Sequence, residues 1–567
     1  MTQTRAPGSS SDNPNPAGTS HFARIGWGVL IVATLYVCYF SHLGAIGFVG
    51  PDEPRYAWVA RAMAETGDWV TPRLYGKPWF EKPVLYYWEA AASFKLFGVN
   101  ETSARLPSAL SALFATLALA WFAWGTYGAE TARWLLLLLP TTVGMIGFSH
   151  AAATDMPFSG MLTIAMVCAA VALGLARTEK TPLLPGTPWF ALILFGFFLG
   201  LAVLAKGPAG IILSGGAVSL WALFTKRWHD AFRLLHPVAI ASFCATALPW
   251  YILCALRNPT FFHVFIIEHN FQRYLTPEFR HIQPFWYYLP IFLLAMFPWI
   301  VPLVAFIRDI AKRWSNNPLQ ADSCALYLAC WSAFTVLFFS ASKSKLPGYI
   351  LPALPPFLLL LTQSVVGRLT SSAKKLRWIV IGTGLTSIGM AVVLYFCAAR
   401  IPFAIDARPP NEVADVLLVL TVGGISALLL GLKHYSRSGL ALSVIALVVC
   451  LAWSLTGTAR WALDEGITAD FTSYTTPQLQ ARFAGAPVYV FNLKRSFQYS
   501  LNFRFHKELP EWSPDVEGPA WIFTSPSEMQ RLKTPGIRCP AYVAYPAVIV
   551  CESFGSVNRP AGGGKMQ

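Results

Sequence analysis

Apolar residues come in long, nearly charge-free runs, and the polar positions are gathered into the gaps between them. A helix needs about twenty such residues to cross the hydrocarbon core of a bilayer. Counted by that length, the runs fall at 25–48, 106–126, 132–150, 156–176, 189–205, 208–225, 234–256, 285–307, 322–341, 346–366, 378–398, 413–431 and 439–457. The pattern therefore predicts a polytopic α-helical membrane protein with about 13 transmembrane helices. The first run is too long for a signal-peptide core and lacks a small-residue cleavage site, so it reads as an uncleaved span. Residues 1–22, rich in Ser, Pro, Asn and Gly, show no apolar periodicity and read as a disordered cytoplasmic tail.

The charges between the runs set an orientation. With the N-terminus inside, alternation places Arg133, Arg177 with Lys180, Lys226 with Arg227 and Arg233, Arg308 with Lys312 and Arg313, Arg368 with Lys374, Lys375 and Arg377, and Lys433 with Arg437 on the cytoplasmic side. Every inner loop is then basic, as the positive-inside rule requires. An odd number of spans leaves the C-terminus outside.

Composition excludes the soluble classes. Of 567 residues, 55% are hydrophobic and 13% charged, and the mean hydropathy is +0.49. A soluble enzyme carries roughly a quarter charged residues. The net charge of +15 is scattered between apolar runs and forms no single stripe, which speaks for topology and anionic ligands and against nucleic acid.

Three outer segments are too long or too polar to be mere connectors: 49–105, 257–284, and everything from 458 onward. The first holds an apolar stretch with Tyr56, Val59, Ala60 and Met63 and a second from Val84 to Phe97, both expected as short helices lying in the interface plane. Asp52 is the expected N-cap of the first, with Pro54 in its opening turn. From 458 to 567 the charge rises and the apolar runs shorten. Strands are expected at 488–491, 520–523 and 547–550, with a helix between 525 and 532, making a small outer α/β domain. Cys539 and Cys551 fall in this oxidising compartment on segments that could pair as neighbouring strands, and a disulfide between them is expected. The absence of CxxC and HExxH argues against a dedicated structural zinc site.

The chemistry-bearing residues gather at outer ends of spans. Pro51-Asp52-Glu53-Pro54-Arg55-Tyr56 follows the first run directly, and Gly76-Lys77-Pro78-Trp79-Phe80-Glu81-Lys82-Pro83 sets opposite charges among aromatics and prolines. Asp155 stands at the start of another span, where an acid is costly and marks a functional position, although a helix cap competes as its explanation. Lys206, Arg273, Lys343 and Lys345 lie on the same side, against the positive-inside bias. Such cations suit a phosphate held by charge-assisted bonds. Outside the cytoplasm nucleotides are scarce, so a transferase working there needs an activated donor already in the lipid, such as a sugar on a polyprenyl phosphate. Glu81 with His263 or His269 is a candidate outer site for a divalent cation, against a reading of both histidines as interfacial hydrogen-bonding groups.

These residues carry a family resemblance. The Asp-Glu pair after the first span, the Phe-Glu-Lys-Pro segment, and Lys345-Leu346-Pro347-Gly348-Tyr349-Ile350-Leu351-Pro352 resemble the lipid A aminoarabinose transferases. Those belong to the polytopic glycosyltransferases of GT-C fold, which include the protein O-mannosyltransferases. The resemblance covers roughly 25–460 and leaves position 348 open. It implies a transmembrane GT-C catalytic domain at 23–457, with 49–105 as first periplasmic loop and 458–567 as a periplasmic domain, in a bacterial inner membrane. The implied reaction moves 4-amino-4-deoxy-L-arabinose from undecaprenyl phosphate to lipid A phosphate and so confers resistance to polymyxin and cationic peptides. Carried over by motif, Asp52, Asp155 and Lys82 are catalytic, and Glu81, Lys206, Arg273, Lys345 and Tyr349 bind substrate. A monomer is expected.

Two other readings compete. Another polyprenyl-phosphate-dependent glycosyltransferase, such as a protein O-mannosyltransferase, would share the site and differ in acceptor. A lipid or solute transporter would share the spans, but would place its charges near the bilayer midplane.

Overall fold

The computed structural model describes residues 21–176, 188–272, 282–316, 323–371, 373–398, 411–454 and, with short gaps, 481–554. Each apolar run becomes a helix or a bent helix pair. Among the described residues, eight helices are long and apolar enough to cross a membrane, or up to ten if each of two bent pairs counts as one span. Three further apolar helices, Arg24–Tyr39, Ala209–Thr225 and Ser436–Ala452, are shorter. The bends are 63° between Ala129–Leu138 and Val143–Ser149, and 120° between Phe285–Met296 and Ile300–Arg308. Pro140 and Pro298 sit at these two breaks, where a missing amide proton interrupts the helical ladder.

In chain order, the elements that build the site are α1 (His21–Tyr39), α2 (Asp52–Thr66), the short strands β1 (Arg73–Leu74) and β2 (Lys77–Pro78), α3 (Leu85–Phe97), α4 (Glu101–Tyr127), α5 (Ala129–Leu138), α6 (Val143–Ser149), α7 (Asp155–Ala172) and α8 (Pro188–Lys206). Small residues let helices approach: a Cβ on Gly160 of α7 would stand 2.8 Å from the Ser111 carbonyl of α4, the close packing that membrane helices favour. Outward faces carry exposed Val29, Val32, Leu256 and Val393, as suits a surface solvated by lipid.

One expectation about the first loop is refined and one is corrected. The apolar faces of α2 and α3 are covered by protein: Tyr56, Val59, Ala60 and Met63 are buried, as are Tyr86, Tyr87, Ala90 and Phe94, while Leu96 and Phe97 at the end of α3 stay exposed. Asp52 is not an N-cap. Pro51 occupies that position without a side-chain bond, and Asp52 is the first helical residue, its carboxylate drawn instead to Arg55.

The tail forms a four-stranded sheet in the order β3-β4-β6-β5, from β3 (Val488–Phe491), β4 (Pro519–Thr524), β5 (Ile537–Arg538) and β6 (Ile549–Phe554). β3 and β4 run parallel, and the other pairs are antiparallel. Phe483, Val490, Phe497, Leu501, Phe505 and Phe523 close a core between the sheet and the helix Arg495–Phe505. That helix was not expected, and the helix expected at 525–532 contracts to a 3-10 turn at Met529–Leu532. Arg538 pairs with Glu552 in the ladder, so Cys539 and Cys551 face each other at the next register, and they are joined in a disulfide.

One buried ion pair ties the loops to the bundle. Glu53 and Arg105 are 6% and 1% exposed. Arg105 donates to Glu53 through Nε (3.2 Å) and Nη2 (2.7 Å), and to the carbonyls of Leu43, Ile46 and Gly47 after α1. Glu53 in turn accepts from the amides of Val49 and Ala152, each at 2.6 Å. Every strong donor and acceptor of the pair is met, the condition under which a buried charge is tolerated. Arg105→Met strands the Glu53 carboxylate, and should cost about 3–5 kcal/mol, measured as earlier thermal melting of the purified protein in detergent. Unchanged melting would show that the pair does not hold these segments.

Candidate active site

A hairpin delivers the Glu81 segment to α2. Leu74 pairs with Lys77, and the two residues between them, Tyr75 (φ 50°) and Gly76 (φ 79°), both take the left-handed backbone that a tight type I′ turn demands. Asp52 and Arg55, three residues apart, share one face of α2 and form an ion pair. Arg55 then reaches Glu81 at 3.3 Å, and Lys82 Nζ lies 4.0 Å from the other Glu81 oxygen. A continuous chain of alternating charge thus joins three of the sequence-predicted residues, Asp52, Glu81 and Lys82. Its link, Arg55, was quoted in the sequence motif without a role. The Asp52 side chain is 49% exposed, whereas Arg55, Glu81 and Lys82 are mostly covered.

Aromatic rings wall this chain. The Arg55 guanidinium lies 5.6 Å from the ring centroid of Trp79, 5.7 Å from Tyr499 and 6.0 Å from Tyr56. Burial opposes its charge, but Glu81, with Asp52, more than offsets that and holds its pKa above the ordinary guanidinium value. Burial, and next to it Glu81, raises the Tyr56 and Tyr87 phenols well above their usual range, so both stay protonated. Among the described residues, the buried Tyr87 hydroxyl and Trp79 Nε1 meet no hydrogen-bond partner.

A second cluster joins two helix ends. Asp155 opens α7 and Lys206 closes α8; Lys206 Nζ donates to Asp155 Oδ1 at 2.5 Å and lies 4.6 Å from the Tyr349 ring centroid. Thr154 at the cap position makes no side-chain cap bond. Gly348 belongs to the same arrangement, because a Cβ there would stand 2.6 Å from Asp155 Oδ1 and 2.8 Å from the Phe148 ring. The position that the sequence comparison left open therefore has a steric reason to be glycine. Asp52 and Asp155 flank the same anchor: Glu53 is next to Asp52, and its hydrogen-bonded partner Ala152 is three residues before Asp155.

Other candidates stand apart. Lys345 is buried and donates to the carbonyls of Ser342 (2.5 Å) and Gln283 (3.1 Å); burial, with Lys343 nearby, lowers its pKa. Arg273 lies outside the described residues. His263 is paired with Glu268 at 3.1 Å, and Glu81 with Arg55 and Lys82, while the His269 side chain lies outside the described residues. Among the described residues, no group of three or more His, Cys, Asp and Glu side chains is placed to hold a metal ion. A further acid went unnoticed in the sequence: Glu89 of α3 has a buried oxygen that meets no partner among the described residues, and burial raises its pKa to about 8.

Spans packed around paired charges at helix ends, beneath a long first loop, define a polytopic membrane protein with a charged site, and its relatives are glycosyltransferases. Residues 27–265 match the Dolichyl-phosphate-mannose-protein mannosyltransferase family. The chain is 30% identical over 411 residues to an undecaprenyl phosphate-alpha-4-amino-4-deoxy-L-arabinose arabinosyl transferase of Aeromonas salmonicida, covering 71% of this chain and 72% of that protein. It is 29% identical over 537 residues to the transferase of the same name from Edwardsiella ictaluri, covering 88% and 91%. The crystal structure of ArnT from Cupriavidus metallidurans bound to undecaprenyl phosphate superimposes with a TM-score of 0.76 at 24% identity, covering 94% of this chain and 98% of that one, which establishes the shared GT-C fold. The chain belongs to the undecaprenyl phosphate-aminoarabinose arabinosyl transferase family.

Two outcomes follow from the geometry. Gly348→Ala should push the Asp155 carboxylate off Lys206 and cut transfer at least tenfold with little change in melting; full activity would show that Asp155 moves without consequence. Because the folded pKa of Glu89 exceeds its unfolded value, its contribution to stability is lost as pH rises from about 4.5 to about 8. Glu89→Gln does not titrate, so it should melt near wild type at pH 4.5 and above it at pH 8. A difference that fails to widen with pH would contradict the buried acid.

Proposed function

We propose that this enzyme moves 4-amino-4-deoxy-L-arabinose from undecaprenyl phosphate to a phosphate of lipid A at the periplasmic face of a bacterial inner membrane, with its N-terminus in the cytoplasm and its C-terminus in the periplasm. The observation that carries the reading is the Asp52–Arg55–Glu81–Lys82 chain, whose exposed end is an acid and whose covered end is a cation. Names of relatives supply the sugar and its carrier. The lipid A acceptor is this proposal's own step.

The reaction is a single displacement at the anomeric carbon, in which the bond to undecaprenyl phosphate breaks as the bond to the acceptor oxygen forms. Charge grows on the departing phosphate, and fixed cations meeting that charge are usually the largest catalytic term. Lys82 supplies one, and Lys206, with the Tyr349 ring beside it, a second. A lipid A phosphate is already anionic near neutral pH, so it needs no general base, and Asp52 serves to orient the acceptor and pair with the ammonium of the donor. A hydroxyl acceptor, as in protein mannosylation, would instead need Asp52 as base; the match to the mannosyltransferase family keeps that second reading open. One chain supplies both clusters, so a monomer suffices. Adding an ammonium to each modified phosphate lowers the negative charge of lipid A and weakens its attraction for cationic peptides such as polymyxin.

Mass spectrometry of lipid A from cells with and without the gene tests the reading, which expects an added aminopentose only when the protein is present. Asp52→Asn should abolish that addition while melting like wild type. Unmodified lipid A in both strains, with a sugar appearing on protein, would replace this reading by the mannosyltransferase one.

A further inference from the structure

We infer that the tail domain completes the acid cluster, with Tyr499 as the positioning residue that holds Arg55 against Asp52. The argument starts from spacing. Tyr499, Asn502, Phe503 and His506 fall at i, i+3, i+4 and i+7 along the tail helix and just past its end, so they share one face. Every one of them meets the first loop. Asn502 Nδ2 donates to the Tyr75 hydroxyl at 2.9 Å, Arg61 Nη1 donates to the Phe503 carbonyl at 2.9 Å, and His506 Nε2 lies 2.8 Å from Glu65. The Tyr499 ring packs 6.3 Å from Tyr75 and 5.7 Å from the Arg55 guanidinium.

Arg55 spends its edges on other partners: Nε on the Pro51 carbonyl, Nη1 on Glu81 and Nη2 on Asp52. The flat face of the guanidinium takes no part in these bonds, and an aromatic ring is a group that face attracts. Two of the rings around it, Tyr56 and Trp79, come from the first loop, and Tyr499 comes from more than four hundred residues away. The seam of hydrogen bonds along the tail helix fixes where that third ring stands. Undocking the tail therefore opens one wall of the box, and Arg55 gains freedom to swing away from Asp52. The domain outside the bundle is thus a structural part of the transfer site.

This inference rests on the proposed transfer for its kinetic test. Tyr499→Leu should lower kcat about tenfold at unchanged KM for undecaprenyl phosphate-linked aminosugar, because the contact orients the site and does not bind the donor. Tyr499→Phe, which keeps the ring, should restore it. Wild-type kcat in the leucine variant, or a phenylalanine variant as impaired as leucine, overturns the inference. A melting cycle with Tyr499→Leu, Arg55→Gln and the double variant in detergent reads the contact whatever sugar or acceptor is used. Non-additive shifts support it and additive shifts overturn it. Coupling in the cycle together with an inactive wild type would mean that the functional reading has failed while the contact stands.

Discussion

The buried pair of Glu53 and Arg105 is the constraint from which the site follows. A carboxylate and a guanidinium removed from water are tolerable only if they find each other and saturate their remaining hydrogen bonds. Here that condition dictates geometry. Arg105 sits near the start of α4 and gathers three carbonyls of the turn after α1; Glu53 fixes the start of α2 and collects the amide of Ala152. Ser108, one turn along α4, adds a hydrogen bond to the Ala151 carbonyl at 2.6 Å. Four chain segments are thereby pinned at one point. Asp52 precedes one pinned residue and Asp155 follows another, so the two acids stand where the anchor puts them.

The charged groups of the site are balanced as well as anchored. Asp52 and Glu81 offset Arg55 and Lys82, and Asp155 offsets Lys206. An uncompensated charge in a covered site is expensive, and pairing allows several mostly covered ionic side chains to be concentrated there without destabilising the bundle. Aromatic rings perform a related task around Arg55: they exclude water from its faces while still attracting its charge.

Much of the frame was legible in the sequence, because periodic apolar runs have one physical outcome and appear as helices where the runs fall. The acids and cations at run ends were legible for the same reason, since a charge beside twenty apolar residues needs an explanation. Partners were less visible. Arg105 stands inside a helix-forming stretch, and nothing local says that its counterion lies fifty-two residues earlier; Arg55 was in view, but its two-sided bridge to Asp52 and Glu81 depends on the hairpin turn at Tyr75-Gly76. In the tail, Tyr499 and the helix around it carry weak local signals, and their place is decided by docking on α2. Gly348 shows the limit from the other direction: a glycine has no side chain to draw attention, and only the nearness of Asp155 explains it.

The proposed transfer raises the question of how a phosphate gains access to cations that already have partners. Lys206 is engaged by Asp155 and Lys82 approaches Glu81, so an arriving phosphate enters a region of near-zero net charge and competes with carboxylates for the same donors. An ammonium has three donors, and those beyond its carboxylate bond can reach a second acceptor without breaking the first. Arg55 differs, since each of its three nitrogens is tied to the protein, at Pro51, Glu81 and Asp52. In the proposed transfer the lysines are therefore suited to follow the charge of a leaving phosphate, and the arginine to hold the carboxylates still. That division accounts for why the fixed group is the one enclosed by rings and bridged to two acids, while each lysine carries its charge at the end of a flexible stem.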